Sequence, residues 1–201
     1  MGRGNAGLRF PNPGDMNRIN VPDTPAMLTV RRATPDDAQA VAAFAERTFI
    51  ETFGPDNTPE DLAAHVAKAF GIAQQSGELR DPSMITLLGE SGRTLVAFAQ
   101  LRRGHHPPCV GGPDPIELLR FYVDRPWHGQ GIAQSLMRAV EDTAREAGAR
   151  TLWLGVWERN PRAIAFYARC GFTDVGEQEF IVGSDPQTDR VMARSLQAGS
   201  R

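Results

Sequence analysis

The segment 118–133 reads Leu118-Leu119-Arg120-Phe121-Tyr122-Val123-Asp124-Arg125-Pro126-Trp127-His128-Gly129-Gln130-Gly131-Ile132-Ala133. Its apolar first part predicts a strand, and its two glycines predict a loop that opens a helix. The first turn of a helix has backbone N–H groups without an internal partner, and the helix dipole adds positive charge there. A large anion can approach these donors closely because glycine has no Cβ. The segment therefore predicts a binding site for a diphosphate.

Two other phosphate-binding patterns are excluded by the residues that follow the glycines. A dinucleotide fingerprint needs a third glycine where this chain has Gln134. A P-loop needs Gly-Lys-Ser/Thr, and this segment has no such sequence.

The composition is that of an ordinary soluble protein of one domain, with 201 residues of which 41% are hydrophobic and 23% charged. A net charge of -2 gives no electrostatic reason to expect nucleic acid. No apolar run is long enough for a membrane span, so we expect no membrane partner. Cys109 and Cys170 lie far apart, which favours a reduced, cytoplasmic protein. We expect no metal, because His105, His106 and Cys109 lack a fourth ligand at zinc spacing.

Hydrophobic periodicity and capping signals divide residues 28–196 into strands and helices. The predicted helices follow Thr34 and Thr58, begin at Ile132 and follow Asn160, with residues 48–54 between the first two. The predicted strands are 28–33, 84–88, 94–102, 116–123, 151–156, 172–182 and 190–196. This order predicts an α+β fold with a mixed, mostly antiparallel sheet of about seven strands flanked by about four helices. Residues 1–27 are predicted to be a disordered extension, and 197–201 a tail.

Two stretches of the chain resemble known motifs of one superfamily. The loop resembles motif A of the GNAT superfamily of acetyl-CoA-dependent N-acetyltransferases, whose signature is Arg/Gln-x-x-Gly-x-Gly/Ala. His128 takes the Arg/Gln place, Gly131 the middle place and Ala133 the last. The stretch Asn160-Pro161-Arg162-Ala163-Ile164-Ala165-Phe166-Tyr167-Ala168-Arg169-Cys170-Gly171-Phe172 is similar to a second GNAT block, Asn-x-x-Ala-x-x-Phe-Tyr-x-x-x-Gly-Phe. The resemblance covers roughly residues 28–196.

The resemblance implies a GNAT-like fold and acetyl-CoA as cosubstrate. In GNAT enzymes the strands on either side of the long helix splay apart, and the pantetheine arm pairs with exposed backbone like an added strand. This implies that the backbone of Phe121 and Val123 meets the thioester end and that Asn160 bonds the pantetheine arm. The residues implied to meet the diphosphate are His128, Gly129, Gln130, Gly131, Ile132 and Ala133.

Transfer of an acetyl group to an amine needs a proton donor and a proton acceptor. Tyr167, within the second block, is our candidate general acid and a further contact to the coenzyme, because a phenol with an ordinary pKa of about 10 can protonate the departing thiolate. Glu117, on the strand that leads to the glycine loop, is our first candidate for the base. The alternative interpretations are a packed core tyrosine and a solvated carboxylate.

A further resemblance concerns the kind of amine that accepts the acetyl group. Residues 48–54, 153–160 and 183–189 together look like the bacterial Pai-type spermidine/spermine N-acetyltransferases, which implies a small amine, with a polyamine as a candidate. Glu51, Asp185 and Asp189 are the candidate acceptor-binding residues, because a polycation should meet several carboxylates.

Alternative functions for the chain remain open. They are acetylation of a protein N-terminus or lysine, a non-catalytic acyl-CoA-binding sensor, and a domain that binds nucleotides or phosphate with the same glycines. A homodimer is also left open.

Overall fold

The computed structural model describes residues 28–104 and 106–196. The predicted extension 1–27 and the predicted tail 197–201 lie outside the described residues, as does His105. Seven strands form one sheet in the order β1-β2-β3-β4-β5-β7-β6. Their bounds are β1 Leu28–Arg32, β2 Met84–Ser91, β3 Thr94–Arg103, β4 Pro115–Val123, β5 Thr151–Trp157, β6 Thr173–Val182 and β7 Asp185–Ser195. Neighbouring strands pair antiparallel, except that β4 and β5 pair in parallel.

Five helices flank the sheet, and local sequence signals explain most of their ends. Their bounds are α1 Ala38–Phe53, α2 Pro59–Ala69, α3 Ile72–Glu78, α4 Ile132–Glu146 and α5 Pro161–Arg169. A short 3₁₀ turn precedes α1, and the backbone N–H of Thr34 donates to the Asp37 carboxylate at 2.8 Å. The hydroxyl of Thr58 caps α2 by accepting from the Asp61 N–H at 3.1 Å.

The helices cover the two faces of the sheet with separate cores. Leu136 and Val140 of α4 pack with Ala97, Ala99 and other residues that point to one face of the sheet. Val41 and Phe44 of α1 pack with Leu88 and Phe98, which point to the other face. Alternation along β3 decides this division, because successive strand residues point to opposite faces.

The α+β fold with seven strands and a mostly antiparallel sheet is confirmed, with three differences from the predicted elements. Residues 48–53 continue α1 instead of separating two helices. The short helix α3 was not predicted, since its sequence holds Gly77 and little apolar periodicity. Strand β7 begins at Asp185, so residues 185–189 belong to a strand.

Candidate active site

The strands β4 and β5 separate and leave a cavity in the middle of the sheet. They pair only where Pro115–Glu117 face Thr151–Trp153, although β4 continues to Val123 and β5 to Trp157. The register of β3 with β4 shifts where Leu119 is inserted, since Gln100 faces Arg120 and Leu101 faces Leu118. Such a bulge bends the strand that carries it. The cavity that opens beyond it has a volume of about 500 Å³.

One edge of β4 is available to a ligand along this cavity. The stretch 118–123, which includes Phe121 and Val123, lines the cavity, while its other edge pairs with β3. The carbonyl oxygen of Val123 is already engaged, because Nε2 of His128 lies 2.8 Å from it. The edge of β4 can therefore accept an extended chain as an added strand up to about Val123.

The histidine of the glycine loop makes bonds within the protein. Its ring nitrogen ties the loop to the end of β4, and its backbone N–H donates to the Arg125 carbonyl at 3.2 Å. We expected backbone N–H groups from His128 to Ala133 to bind the diphosphate. This is corrected, because the N–H of His128 is already used and the series begins at Gly129. The ring supports the position of the loop, and this explains how a histidine can stand where the superfamily has Arg or Gln.

The loop ends in an uncapped helix start that faces the cavity. Gly129 and Gly131 have φ of +79° and +80°, in the left-handed region, with open space where a Cβ would stand. The first amides of α4 have no intrahelical partner, as in any helix, and no side chain caps them at Gly131. Gly129, Gly131 and Ala133 line the cavity. The side chain of Gln130 donates to Pro126, and that of Ile132 is buried in the core, so these two residues offer backbone only.

Helix α5 and its cap add polar and positive groups to the cavity wall. Asn160 caps the helix by accepting from the Ala163 N–H at 3.1 Å through its side-chain oxygen. Its amide N–H₂ is left as the donor toward the cavity, which Asn160 lines. Arg162 and Arg169 line the cavity too and favour an anionic ligand. Neither arginine was singled out from the sequence.

Tyr167, the predicted general acid, is part of the cavity wall. Its ring packs between Phe121, Phe166 and Phe172, with centroid distances of 6.2, 5.4 and 5.8 Å, and the residue lines the cavity. Its hydroxyl makes no hydrogen bond to any residue in the described part of the chain, whereas a structural core tyrosine normally has such a partner. Burial raises the pKa of Tyr167 above its ordinary value, so the phenol keeps its proton at neutral pH.

Asp189 is the one predicted acceptor-binding residue that lines the cavity. It lies on β7, facing Trp157 of β5 and Gln178 of β6, and is 8% exposed. Its carboxylate makes no hydrogen bond or salt bridge within residues 28–104 and 106–196. Burial raises the pKa of Asp189 to about 6. An isolated buried carboxylate is costly, which is typical of a group that serves a ligand.

The other predicted carboxylates do not reach the cavity. Glu117 is 5% exposed but forms a salt bridge of 2.6 Å with Arg102, on the part of β4 that still pairs with β5. Glu51 bonds Arg47 at 3.3 Å, and Asp185 accepts from Gln187 at 2.9 Å. The structure therefore does not bring Glu117 to the site as a base, nor Glu51 and Asp185 as acceptor contacts.

Aromatic side chains line the cavity near Asp189. They are Phe49 and Phe53 of α1, Tyr122 of β4, Trp157 of β5 and Phe180 of β6. Trp153 is 2% exposed in the core, whereas Trp157 meets Phe53 edge-on at 5.9 Å. Burial raises the pKa of Tyr122 to about 12, so this second phenol is also neutral.

The hairpin β6–β7 is fixed over this end of the cavity by polar contacts with α2 and the segment before it. The backbone N–H of Ser184 donates to the Asp61 carboxylate at 2.7 Å. The side-chain amide of Gln187 donates to the side-chain oxygen of Asn57 at 2.7 Å. These contacts fix the hairpin, which carries Phe180 and Asp189, relative to α2 and the segment before it.

No three His, Cys, Asp or Glu side chains of the described ranges form a group that could hold a metal ion. None of the helices in those ranges has the length and apolar character that crossing a membrane requires.

Comparisons with known proteins agree on one family. A model of the acetyltransferase (GNAT) family matches residues 40–172. An uncharacterized N-acetyltransferase of Mycobacterium tuberculosis is 36% identical over 160 residues, which are 80% of this chain and 98% of that protein. The crystal structure of PaiA N-acetyltransferase from Thermoplasma acidophilum, in complex with coenzyme A, superposes with a TM-score of 0.68 at 17% identity and covers 84% of this chain and 99% of that one. A spermine/spermidine N(1)-acetyltransferase of Bacillus subtilis is 31% identical over 82 residues, which are 40% of this chain and 50% of its own.

Proposed function

The chain belongs to the GNAT family of acetyltransferases and is an acetyl-CoA-dependent N-acetyltransferase, and we propose that it acetylates the primary amine of a small acceptor with Tyr167 and Asp189 as its proton-handling residues. The observation that carries this proposal is one cavity that joins the uncapped start of α4 to two ionisable side chains without hydrogen-bonded partners in the described chain.

The residues of the glycine loop fit the diphosphate of coenzyme A. The backbone amides that follow Gly129 lie at the uncapped start of α4, and there is open space beside Gly129 and Gly131. Arg162 and Arg169 add positive charge to the cavity. The free edge of β4 and the side-chain amide of Asn160 would hold the pantetheine arm. When bound, acetyl-CoA supplies an acetyl group activated as a thioester, with its thiol as leaving group.

Tyr167 holds the proton that the leaving sulfur needs. An ordinary alkyl thiol has a pKa of about 8.5, well below that of a buried phenol, so the hydroxyl gives up its proton only as negative charge develops on sulfur. The surrounding rings fix the phenol in place and keep water from its face. General acids of this kind contribute about 10²- to 10⁴-fold to rate.

Asp189 replaces Glu117 as the proposed base. A free alkylammonium has a pKa of about 10.4, so direct proton transfer to a carboxylate with a pKa of about 6 is uphill by roughly 6 kcal/mol. An ammonium has no lone pair, so the small fraction of bound acceptor that has released one proton to solvent is the nucleophile. We therefore assign Asp189 to pair with the ammonium on binding. Once the neutral nitrogen has bonded to the acetyl carbon and has become acidic, Asp189 takes its second proton. Near pH 7 the carboxyl is mostly ionised and is ready for both steps.

The polyamine acceptor implied by the sequence has weaker support. It rests on a distant structural likeness and on a relative that matches less than half of the chain. Of the carboxylates expected to meet a polycation, only Asp189 lines the cavity. A sensor without activity is disfavoured because binding of coenzyme A gives no reason to keep an unpaired buried carboxylate at the far end of the cavity.

The test is an assay of thiol release from acetyl-CoA with purified protein and a panel of amines, amino acids and peptides, with acetylated products identified by mass spectrometry. We expect product with at least one small amine. Binding of acetyl-CoA by calorimetry without product from any small amine, but with acetylated peptides, would support the N-terminal acetylation alternative. Binding without any product would support the sensor.

A further inference from the structure

The end of the cavity opposite the glycine loop shows which kind of amine it can hold. We define this acceptor end by Phe49, Phe53, Trp157, Phe180, Gln187 and Asp189, all of which line the cavity. The inference below rests on the proposed function and concerns the chemistry of the acceptor.

The acceptor end offers one negative charge. Asp189 is the single carboxylate among the described residues that line the cavity. Arg120, a basic side chain that also lines the cavity, is held in a salt bridge with Glu78 and a hydrogen bond to Gln100. A second or third ammonium group would thus lose water without gaining a carboxylate, and a buried unpaired charge is strongly unfavourable.

The rest of the acceptor end is apolar and aromatic. Phe53 packs on Phe49 at 4.6 Å and edge-on to Trp157 at 5.9 Å, and this places three rings side by side. Phe180 is 38% exposed at the rim, one of the few large apolar side chains of the described chain that are left uncovered. Rings in a concave wall with one convergent charge are typical of sites for an apolar body that carries one polar group.

We propose that the acceptor is a primary amine with a single positive charge on an apolar, preferably aromatic, body, with the ammonium at Asp189 and the body between Phe53, Trp157 and Phe180. Polyamines are then poor acceptors, because each additional ammonium faces rings instead of carboxylates.

The experiment compares one aromatic amine, one diamine and one triamine under one assay. The kcat/KM values for 2-phenylethylamine, 1,4-diaminobutane and spermidine are measured by thiol release. We expect the aromatic amine to exceed both polyamines by about tenfold or more, since an unpaired buried ammonium is so costly. Equal or better use of spermidine overturns the inference and leaves the proposed function standing. Absence of acetylated product from every amine overturns both.

A charge-adding variant provides the internal control. In Phe180→Glu a second carboxylate stands at the rim, and we expect the preference for 2-phenylethylamine over 1,4-diaminobutane to fall by about tenfold. The matched control is Val175→Glu, at a residue of the same strand that is 37% exposed and does not line the cavity. An unchanged preference in Phe180→Glu, or an equal change in Val175→Glu, contradicts the assigned position of the acceptor.

Discussion

Gly155 leaves the space that the carboxylate of Asp189 occupies. A Cβ at position 155 would lie 2.8 Å from Oδ2 of Asp189 and 2.6 Å from Nε2 of Gln178, and both distances are too short for real contacts. The glycine in β5 thus lets a neighbouring strand place a short acidic side chain over its backbone, at the mouth of the gap between β4 and β5.

The variant Gly155→Ala should therefore displace the Asp189 carboxylate. We expect kcat to fall by about tenfold or more, because a small misplacement of a reacting group is costly. Acetyl-CoA affinity should stay within about twofold, since the glycine loop is untouched. Gly111→Ala is the control, because a Cβ there meets no atom within 4 Å. Unchanged kcat in Gly155→Ala would show that the position of Asp189 is not important for turnover.

Removal of the buried charge should stabilise the protein while it damages activity. Because burial raises the pKa of Asp189 to about 6 from 3.8, the folded protein binds the proton more tightly than the unfolded chain does. The stabilising contribution of this carboxyl is full below about pH 4 and is lost as the pH rises through about 6. Asp189→Asn should therefore unfold with a free energy up to about 3 kcal/mol higher near pH 7, a gain that disappears in acid. Urea denaturation at several pH values measures it, and a loss of stability near pH 7 contradicts the assignment.

Glu117→Gln should show the opposite behaviour. The variant weakens the salt bridge to Arg102, and since Arg102 is partly exposed we expect a loss of about 1–2 kcal/mol in unfolding free energy. The kcat of the folded variant should remain within about threefold of the parent, because Glu117 does not line the cavity. A loss of kcat comparable to that of Asp189→Asn would restore Glu117 as the base.

The glycine loop can be tested with two glycines at opposite ends of α4. Gly131 has φ of +80° and Gly148 has φ of +83°, and a Cβ would meet nothing within 4 Å at either. Alanine should cost about 1–2 kcal/mol of backbone strain at both positions. Only at Gly131 should the methyl group also keep the diphosphate away, so we expect the Kd for acetyl-CoA to rise by about tenfold in Gly131→Ala and to stay unchanged in Gly148→Ala. Calorimetry distinguishes them, and equal Kd values in the two variants exclude this site.

Tyr167→Phe isolates the phenol proton. The ring contacts with Phe121, Phe166 and Phe172 are kept, and no protein hydrogen bond of the described chain is lost. We expect kcat to fall by about 10²-fold with an unaltered Kd for acetyl-CoA and little change in unfolding free energy. The same kcat and the same pH profile as the parent would remove Tyr167 from the mechanism.

The elements of this fold were largely predictable because their signals are local. The glycines, the caps at Thr58 and Asn160 and the periodicity of α4 each act within a few residues. Glu117 was predicted to lie at the site because the sequence does not show its partner. Arg102 lies on another strand, and only the register of β3 with β4 brings the two side chains together.

The sequence around Asp189 contains an alternating strand pattern from which its position could have been predicted. Asp189 lies two and four residues before Val191 and Ala193, which are both buried. If the predicted strand is extended to include residue 189, its carboxylate therefore lies on the same buried face of the sheet as these two side chains. The residues 183–186 are of types that favour a turn, so the predicted strand starts at residue 190, whereas β7 starts at Asp185. The aromatic wall was not predictable, because Phe49, Trp157 and Phe180 come from three distant segments that only the tertiary fold brings together.

The short pairing of β4 with β5 also affects the mechanics of the protein. Three residue pairs join the two halves of the sheet, β1 to β4 on one side and β5 to β7 on the other. The β4–β5 junction therefore has the fewest paired residues of any junction in the sheet. A bound cosubstrate that contacts both strands would add contacts across this junction. Ligand binding should slow amide hydrogen exchange in both β4 and β5. The two halves of the sheet should move as one body only when the cosubstrate is bound.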